Sequence, residues 1–448
     1  MGLRVGIRKT NAALTAAVLT SAALLSALLL ATVGLHAQAS RPTIRHHRVE
    51  ETDPIAAKLT QAEDAIAKQD YASAEPLLKQ VVAERPADYA AWYDLGFLYH
   101  ALGRTEDSID AYKKSVQAKP TIFESNLNLG LELASADKPE AEQYLRAATK
   151  LTPTSHSAQG RKDAWIALGH FLQRSNPEEA VNSFREAAVV DPKDPQPHLL
   201  AGSTLEQLKS PEAEQEYQLA LSIDPNSADA MTALTNFYMS QQRFPDAENL
   251  LRKLVILHPN DAATHIQLGR MLAIAGKNDD AIAEMQAGLK LDPTDKKAQR
   301  DLADVYSRAR KFAEAAQIYN ALLDNSPNDA ALHSMLGRAL LQQKKFGEAQ
   351  GELIKAVQLK PDLGEAYGDL ALAANNNKDY PMTLKSLDLR AKYLPENPLT
   401  YFLRATAYDH LRDVKNATKY YHEFLNVSGG KFPEQEWQAK HRLIAIEK

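Results

Sequence analysis

The sequence contains no cysteine. Disulfides, thiolate metal sites, iron–sulfur clusters and cysteine nucleophiles are therefore excluded, and so is a lipoprotein anchor, whose lipid is attached to a cysteine. Neither charge sign dominates, because the 448 residues carry a formal net charge of -5 at pH 7. This mildly acidic balance does not supply the basic surface of a nucleic-acid-binding protein, and we predict no nucleic-acid partner.

Sequence signatures of enzymes are also missing. The chain has no phosphate-binding glycine loop, no dinucleotide fingerprint, no His-Glu-x-x-His and no nucleophile elbow. Acidic pairs such as Asp279-Asp280 and Glu178-Glu179 fall where solvated turns are expected. We therefore predict a protein that is not an enzyme and that has no catalytic residues, no cofactor and no metal site.

The N-terminus has the three parts of an export signal. A basic start is followed by an uncharged stretch rich in Ala and Leu, residues 12–34, and then by the small-x-small pattern Ala37-Gln38-Ala39. This order predicts a signal peptide over residues 1–39, followed by a linker over residues 40–54. The alternative is an uncleaved inner-membrane anchor, because the uncharged stretch exceeds the roughly 20 residues that a spanning helix needs.

Both interpretations place the rest of the chain outside the cytoplasm, because the basic residues before the apolar stretch stay inside. With cleavage the protein would be periplasmic or secreted. Without cleavage it would be held at the inner membrane with its remaining residues outside the cytoplasm. We expect no other contact with a membrane.

Prolines recur along the chain at nearly constant intervals. The steps are 34, 33, 39 and 33 residues, and then 34 residues five times, which indicates an internal repeat. Twelve residues before each proline lies a small residue, and eight residues before it lies a large apolar one. The prolines are Pro86, Pro120, Pro153, Pro192, Pro225, Pro259, Pro293, Pro327, Pro361 and Pro395.

A second set of positions recurs earlier in each unit. A glycine preceded by leucine recurs in register, at Gly96, Gly130, Gly169, Gly269 and Gly337. Bulky residues at offsets of three and four from this glycine slot lie on one face of a helix. Each unit is therefore predicted to be two amphipathic helices joined by a tight turn. The proline ends the second helix, and an Asp or Ser soon after it caps the next first helix.

These residues resemble the tetratricopeptide repeat, an antiparallel pair of helices that is 34 residues long. The resemblance covers eleven units over residues 55–431, and residues 432–448 are predicted to form a capping helix. It implies an all-α fold, a right-handed α-solenoid superhelix. The departures from the pattern are local, with Thr235 in a glycine slot and Thr383 in an alanine slot.

The resemblance also implies a concave groove, lined by the first helices, that holds an extended or helical segment of a partner protein. On this register six residues are the candidate groove residues: Tyr93, Phe97, Asn236, Arg270, Arg300 and Arg338. The two aromatic residues make the N-terminal part of the groove neutral, whereas the three arginines make its middle basic.

Two hypotheses follow for the arginines. Guanidinium groups pair well with carboxylates, so the first hypothesis is a partner that carries an acidic segment. The second is that the arginines are solvated and pair with neighbours such as Asp304. Asn236 matches one residue of the lysine–asparagine clamp of chaperone-binding members, but Thr232 stands in the lysine position. His265 and His333 lie four residues before the glycine of their units, where Trp92 and Trp165 lie in two other units, and they are predicted to be packing residues.

The predicted function is a non-catalytic protein–protein interaction scaffold in the bacterial cell envelope, which binds protein or peptide partners in the concave groove. The alternative is a component of an envelope machine for export, pilus assembly or exopolysaccharide secretion.

Overall fold

The structure is a computed structural model that describes residues 53–154 and 157–447. The predicted signal peptide lies outside the described residues, as does the predicted linker up to residue 52. The chain divides into two compact units, Met1–Leu257 and His258–Lys448. All regular structure in the described residues is helical, in 23 helices.

The described part of unit 1 consists of six helix pairs. Its helices are α1 (Pro54–Ala67), α2 (Tyr71–Glu84), α3 (Tyr89–Ala101), α4 (Thr105–Ala118), α5 (Phe123–Ser135), α6 (Ala141–Lys150), α7 (Ala158–Leu172), α8 (Pro177–Val190), α9 (Gln196–Gln207), α10 (Glu212–Ile223), α11 (Ala228–Ser240) and α12 (Phe244–Leu257).

The described part of unit 2 consists of five helix pairs and one additional helix. Its helices are α13 (Ala262–Ile274), α14 (Asn278–Leu291), α15 (Lys296–Arg308), α16 (Phe312–Asn325), α17 (Ala330–Gln342), α18 (Phe346–Leu359), α19 (Gly364–Asn376), α20 (Tyr380–Ala391), α21 (Pro398–His410), α22 (Val414–Ser428) and α23 (Pro433–Ile446). Within each unit every pair packs on the next, which confirms the predicted all-α, α-solenoid fold class.

The small and large residues of the repeat form the core of each unit. The small residue is fully buried in all eleven described pairs: Ala74, Ser108, Ala141, Ala180, Ala213, Ala247, Ala281, Ala315, Ala349, Thr383 and Ala417. The large residue four positions later is buried as well, as in Leu78, Phe184 and Leu353. Thr383 fits its alanine slot because its hydroxyl donates to the Asp379 carbonyl oxygen at 3.0 Å within the helix.

The glycine slot lets the two helices of a pair approach each other closely. A Cβ atom added to Gly169 would lie 2.4 Å from the Phe184 ring, and one added to Gly96 would lie 2.6 Å from the Tyr112 ring. The large residue of the second helix therefore lies directly on the glycine backbone of the first.

Prolines and caps set the helix ends. Pro86, for example, follows the last residue of α2 by two positions, and Pro293 stands in the same relation to α14. Asp88 then accepts hydrogen bonds from the backbone N–H groups of Ala90 and Ala91, both at 3.1 Å, at the start of α3. Ser227, Asp261, Asp295 and Asp329 cap their helices in the same way.

The last helix, α23, covers the end of the final pair. Ala439 and Leu443 pack against the buried Tyr421 and Phe424 of α22, while Trp437 on the outer face is 61% exposed. The C-terminal segment is thus helical where the sequence predicts a capping helix.

Candidate functional site

The residue directly after the glycine slot stays accessible in every described pair. We call these residues the first-helix row, because each lies on the first helix of its pair. None of them is fully buried. In unit 1 the row is Glu63, Phe97, Leu131, His170, Ser203 and Asn236, and in unit 2 it is Arg270, Asp304, Arg338, Leu372 and Thr406.

In unit 1 the row is mostly uncharged, and the two aromatic candidates differ in exposure. Tyr93 is buried, its ring centroid lies 5.6 Å from that of Tyr112, and its hydroxyl accepts a hydrogen bond from Asn128 Nδ2 at 3.0 Å. Burial raises the pKa of Tyr93 well above its usual value. Phe97 and Asn236 are half-buried. Phe97 is therefore the aromatic candidate with accessible ring surface.

In unit 2 two of the three candidate arginines are paired inside the fold. Arg270 Nε donates to Asp301 at 2.7 Å, and Arg338 Nε donates to Asp369 at 2.8 Å. Each aspartate lies on the next first helix, 31 residues along the chain. These pairs neutralise much of the positive charge that the sequence places in the row.

Arg300 is the least constrained of the three arginines. Its closest carboxylate is that of Asp329, with Nη1 at 4.0 Å from Oδ2, and its Nη2 lies 3.6 Å from the Met335 sulfur. The side chain is 37% exposed. Asp304, which the sequence suggests as an arginine partner, accepts a hydrogen bond from the Tyr319 hydroxyl at 2.6 Å, and burial raises the pKa of Asp304.

The structure adds residues that sequence reasoning missed. Asp301 and Asp369 pair with the row arginines, and Arg308, which is half-buried, donates to the Ala273 carbonyl oxygen at 3.4 Å. Burial lowers the pKa of Arg308. The repeated 31-residue interval from arginine to aspartate is the sequence signal that could have identified both pairs.

In residues 53–154 and 157–447, no helix combines the length and apolar character that crossing a membrane requires. Over the same residues, no three His, Asp or Glu side chains are grouped so that they could hold a metal ion.

Known proteins and a solved structure are similar to this chain over the parts given below. Human protein O-mannosyl-transferase TMTC3 is 22% identical over 338 residues, which is 63% of this chain and 36% of that protein. The type IV pilus assembly protein PilF of Pseudomonas aeruginosa is 25% identical over 173 residues, which is 38% of this chain and 69% of that protein. The crystal structure of the APC/C hetero-tetramer Cut9–Hcn1 aligns with 88% of this chain and 97% of that chain, at 13% identity and a TM-score of 0.39.

Family models give the decisive match. One tetratricopeptide-repeat model matches residues 59–121 and 170–228, and a second matches residues 205–267 and 272–339. Together these matches cover just over half of the chain. The chain belongs to the tetratricopeptide-repeat family.

Proposed function

We propose that this chain is a non-catalytic protein–protein interaction scaffold of the bacterial cell envelope, which binds segments of partner proteins along its first-helix row. The observation that carries the proposal is the row itself. Helix packing buries the small and large core residues of every pair completely or nearly so, yet leaves the row residue of each first helix at least partly accessible. Proteins of this family mediate protein–protein interaction, and a regular row of accessible side chains suits a bound segment.

The charges of unit 2 suggest where an acidic side chain of the partner would bind. Arg270 and Arg338 already donate to aspartates, so a partner carboxylate would have to displace those bonds. Arg300 has its nearest carboxylate at 4.0 Å and an accessible guanidinium. A partner carboxylate would therefore accept a charge-assisted hydrogen bond at lowest cost from Arg300.

Site-specific photo-crosslinking tests the proposal. A photoreactive amino acid replaces Leu372, a row residue that is 40% exposed, or Leu291, a second-helix residue that is 42% exposed. In envelope extract we expect discrete partner adducts from position 372 and few from position 291. Arg300→Glu should weaken adducts at position 372, whereas Lys290→Glu on the second helix α14 should not. Equal adduct yields from both positions would contradict binding along the row.

A second candidate function is a component of a pilus, export or exopolysaccharide machine. The similarity to the pilus assembly protein favours it, because the match spans 69% of that protein. The same crosslinking distinguishes the two candidates. Adducts with components of one assembly machine would support the second candidate, and adducts with unrelated envelope proteins would support a general scaffold.

A further inference from the structure

The methionines of the described residues differ in exposure. Four of them are buried in the helix core: Met231, Met239, Met271 and Met285. Met335 on α17 and Met382 on α20 are half-buried and lie outside that core. Because an oxidant in solution must reach the sulfur atom, these two are the methionines that it meets most readily in the folded protein.

Met335 lies beside the least tightly paired of the three candidate arginines. Arg300 Nη2 lies 3.6 Å from the Met335 sulfur, and the nearest carboxylate, that of Asp329, is 4.0 Å from Nη1. A thioether sulfur accepts only weak hydrogen bonds. The Arg300 guanidinium is therefore held loosely, and a stronger acceptor at the sulfur would take up its N–H groups.

The carboxylates near this contact have bonds of their own. Asp329 accepts hydrogen bonds from the backbone N–H groups of Ala331 and Leu332, at 2.9 and 3.1 Å, at the start of α17. Asp304, one helical turn after Arg300, accepts from the Tyr319 hydroxyl at 2.6 Å. Neither carboxylate is therefore an undivided partner for Arg300.

Hydrogen peroxide converts methionine to methionine sulfoxide by transfer of one oxygen atom. A sulfur lone pair attacks one peroxide oxygen, and the S–O bond forms as the O–O bond breaks. The other oxygen leaves as water after it takes up the proton of the transferred oxygen. The sulfur loses two electrons and the peroxide gains them. The product carries a polar S=O group, and its oxygen is a stronger hydrogen-bond acceptor than the thioether.

We propose that Met335 is an oxidation site whose sulfoxide is held by Arg300. Because the methionine side chain is unbranched and flexible, its new oxygen can turn toward the guanidinium that already lies against the sulfur. The ionised donor makes the resulting hydrogen bond charge-assisted. The polar S=O group lies outside the buried core, so the fold tolerates it where it would not tolerate a sulfoxide at Met271 or Met285.

The consequence for binding rests on the proposed function. In the reduced protein Arg300 is the arginine from which a partner carboxylate accepts a hydrogen bond at lowest cost. In the oxidised protein the sulfoxide oxygen occupies the same N–H groups, so binding of an acidic side chain weakens. Methionine sulfoxide is reduced again by dedicated reductases, which makes the change reversible.

Met382 is the matched control for accessibility. It is half-buried like Met335, and its backbone N–H donates to Asp379 at 3.2 Å. Purified full-length protein would be treated with dilute hydrogen peroxide and digested for mass spectrometry. We expect sulfoxide at Met335 and Met382, while Met271 and Met285 stay reduced until the protein unfolds. If Met335 stays reduced under conditions that oxidise Met382, the proposal is wrong.

A thermodynamic cycle measures the bond to Arg300. In a Met382→Leu background, urea midpoints of the reduced and oxidised forms would be compared with Arg300 present and with Arg300→Leu, which removes the donors. We expect the change of midpoint on oxidation to be more favourable with Arg300 than without it. Met335→Leu should show no change on the same treatment. Equal changes with and without Arg300 would overturn the proposal.

Photo-crosslinking from position 372 separates this inference from the proposed function. We expect oxidised protein to give fewer partner adducts than reduced protein, and peroxide-treated Met335→Leu to give as many as its untreated form. Undiminished adducts after complete oxidation of Met335 would contradict the effect on binding. If the reduced protein gives no adducts, the proposed function fails, whereas the urea midpoints still decide whether Arg300 holds the sulfoxide.

Discussion

At the scale of single residues, burial and pairing change what a side chain can contribute. Arg270 and Arg338 occupy row positions, yet each donates to an aspartate of the following repeat. These pairs determine which positive charge remains available to a partner. In unit 2 this leaves Arg300, whose nearest carboxylate lies at 4.0 Å, as the candidate that is least tightly paired.

Glu63, the row residue of the first helix pair in unit 1, is an acid that is partly buried near two other acids. Burial and the nearby charges of Asp64 and Asp88 raise the pKa of Glu63 to about 7. A carboxyl group with a raised folded-state pKa is favoured in its protonated form, so ionisation destabilises the fold as pH rises from about 4.5 to about 7.

We therefore predict that Glu63→Gln stabilises the protein at high pH. The gain should be absent near pH 4 and should reach about 1–2 kcal/mol above pH 7, after allowance for solvent screening. Urea unfolding of wild type and variant across this pH range measures it. Glu178→Gln, at an exposed glutamate of α8, serves as the control and should have no such effect. A gain that is the same at every pH would disprove the assigned cause.

At the scale of elements, the contact between glycine and large residue sets the distance between the helices of a pair. The Phe184 ring occupies the space that a side chain at Gly169 would need.

The turns between paired helices include residues in the left-handed region of backbone conformation. Residues such as Gln69, Lys344 and Arg412 adopt positive φ angles of 61°, 61° and 63° in the turns between paired helices, although only glycine adopts this region without steric cost.

Two Gly→Ala substitutions separate close packing from helix propensity. Gly169→Ala should destabilise the protein by about 1–3 kcal/mol, because the new methyl group overlaps the Phe184 ring. Gly351→Ala in α18 meets no atom within 4 Å and should stabilise the protein by about 0.5–1 kcal/mol, since alanine favours helix. Thermal unfolding of both variants provides the measurement. If both substitutions are stabilising, the glycine slot is not required for close packing.

At the scale of the whole molecule, the N-terminal sequence predicts the compartment in which the chain resides. The basic start, the uncharged stretch and the Ala37-Gln38-Ala39 pattern predict export. A scaffold outside the cytoplasm is consistent with a chain that has no cysteine to oxidise. We propose that the mature protein begins at Ser40.

Mass spectrometry of the protein recovered from fractionated bacterial cells tests this proposal. We expect a species that lacks residues 1–39 in the soluble envelope fraction. The double substitution Ala37→Lys and Ala39→Lys should block cleavage, because the processing site requires small residues. Full-length wild-type protein in the membrane fraction would instead favour the anchor, and full-length protein in the cytoplasm would contradict export.

The sequence by itself determined the repeat, its helix pairs and the identity of the core. Proline, the small residue and the glycine slot recur at intervals that local chemistry explains, because each acts on its own helix or on the next one. Four of the six candidate groove residues predicted from this periodicity, Phe97, Asn236, Arg270 and Arg338, belong to the first-helix row, whereas Tyr93 and Arg300 do not.

Only the tertiary structure decided which row residues are accessible and which charges are already paired. The bonds between Arg270 and Asp301 and between His333 and Glu352 join residues that are 31 and 19 positions apart. Periodicity can place such residues on neighbouring helices, but side-chain orientation across the packed helices decides whether they bond. The sequence did not predict the positive φ of Gln69 either. In that turn the packing of the two helices, rather than the preference of the residue, sets the backbone conformation.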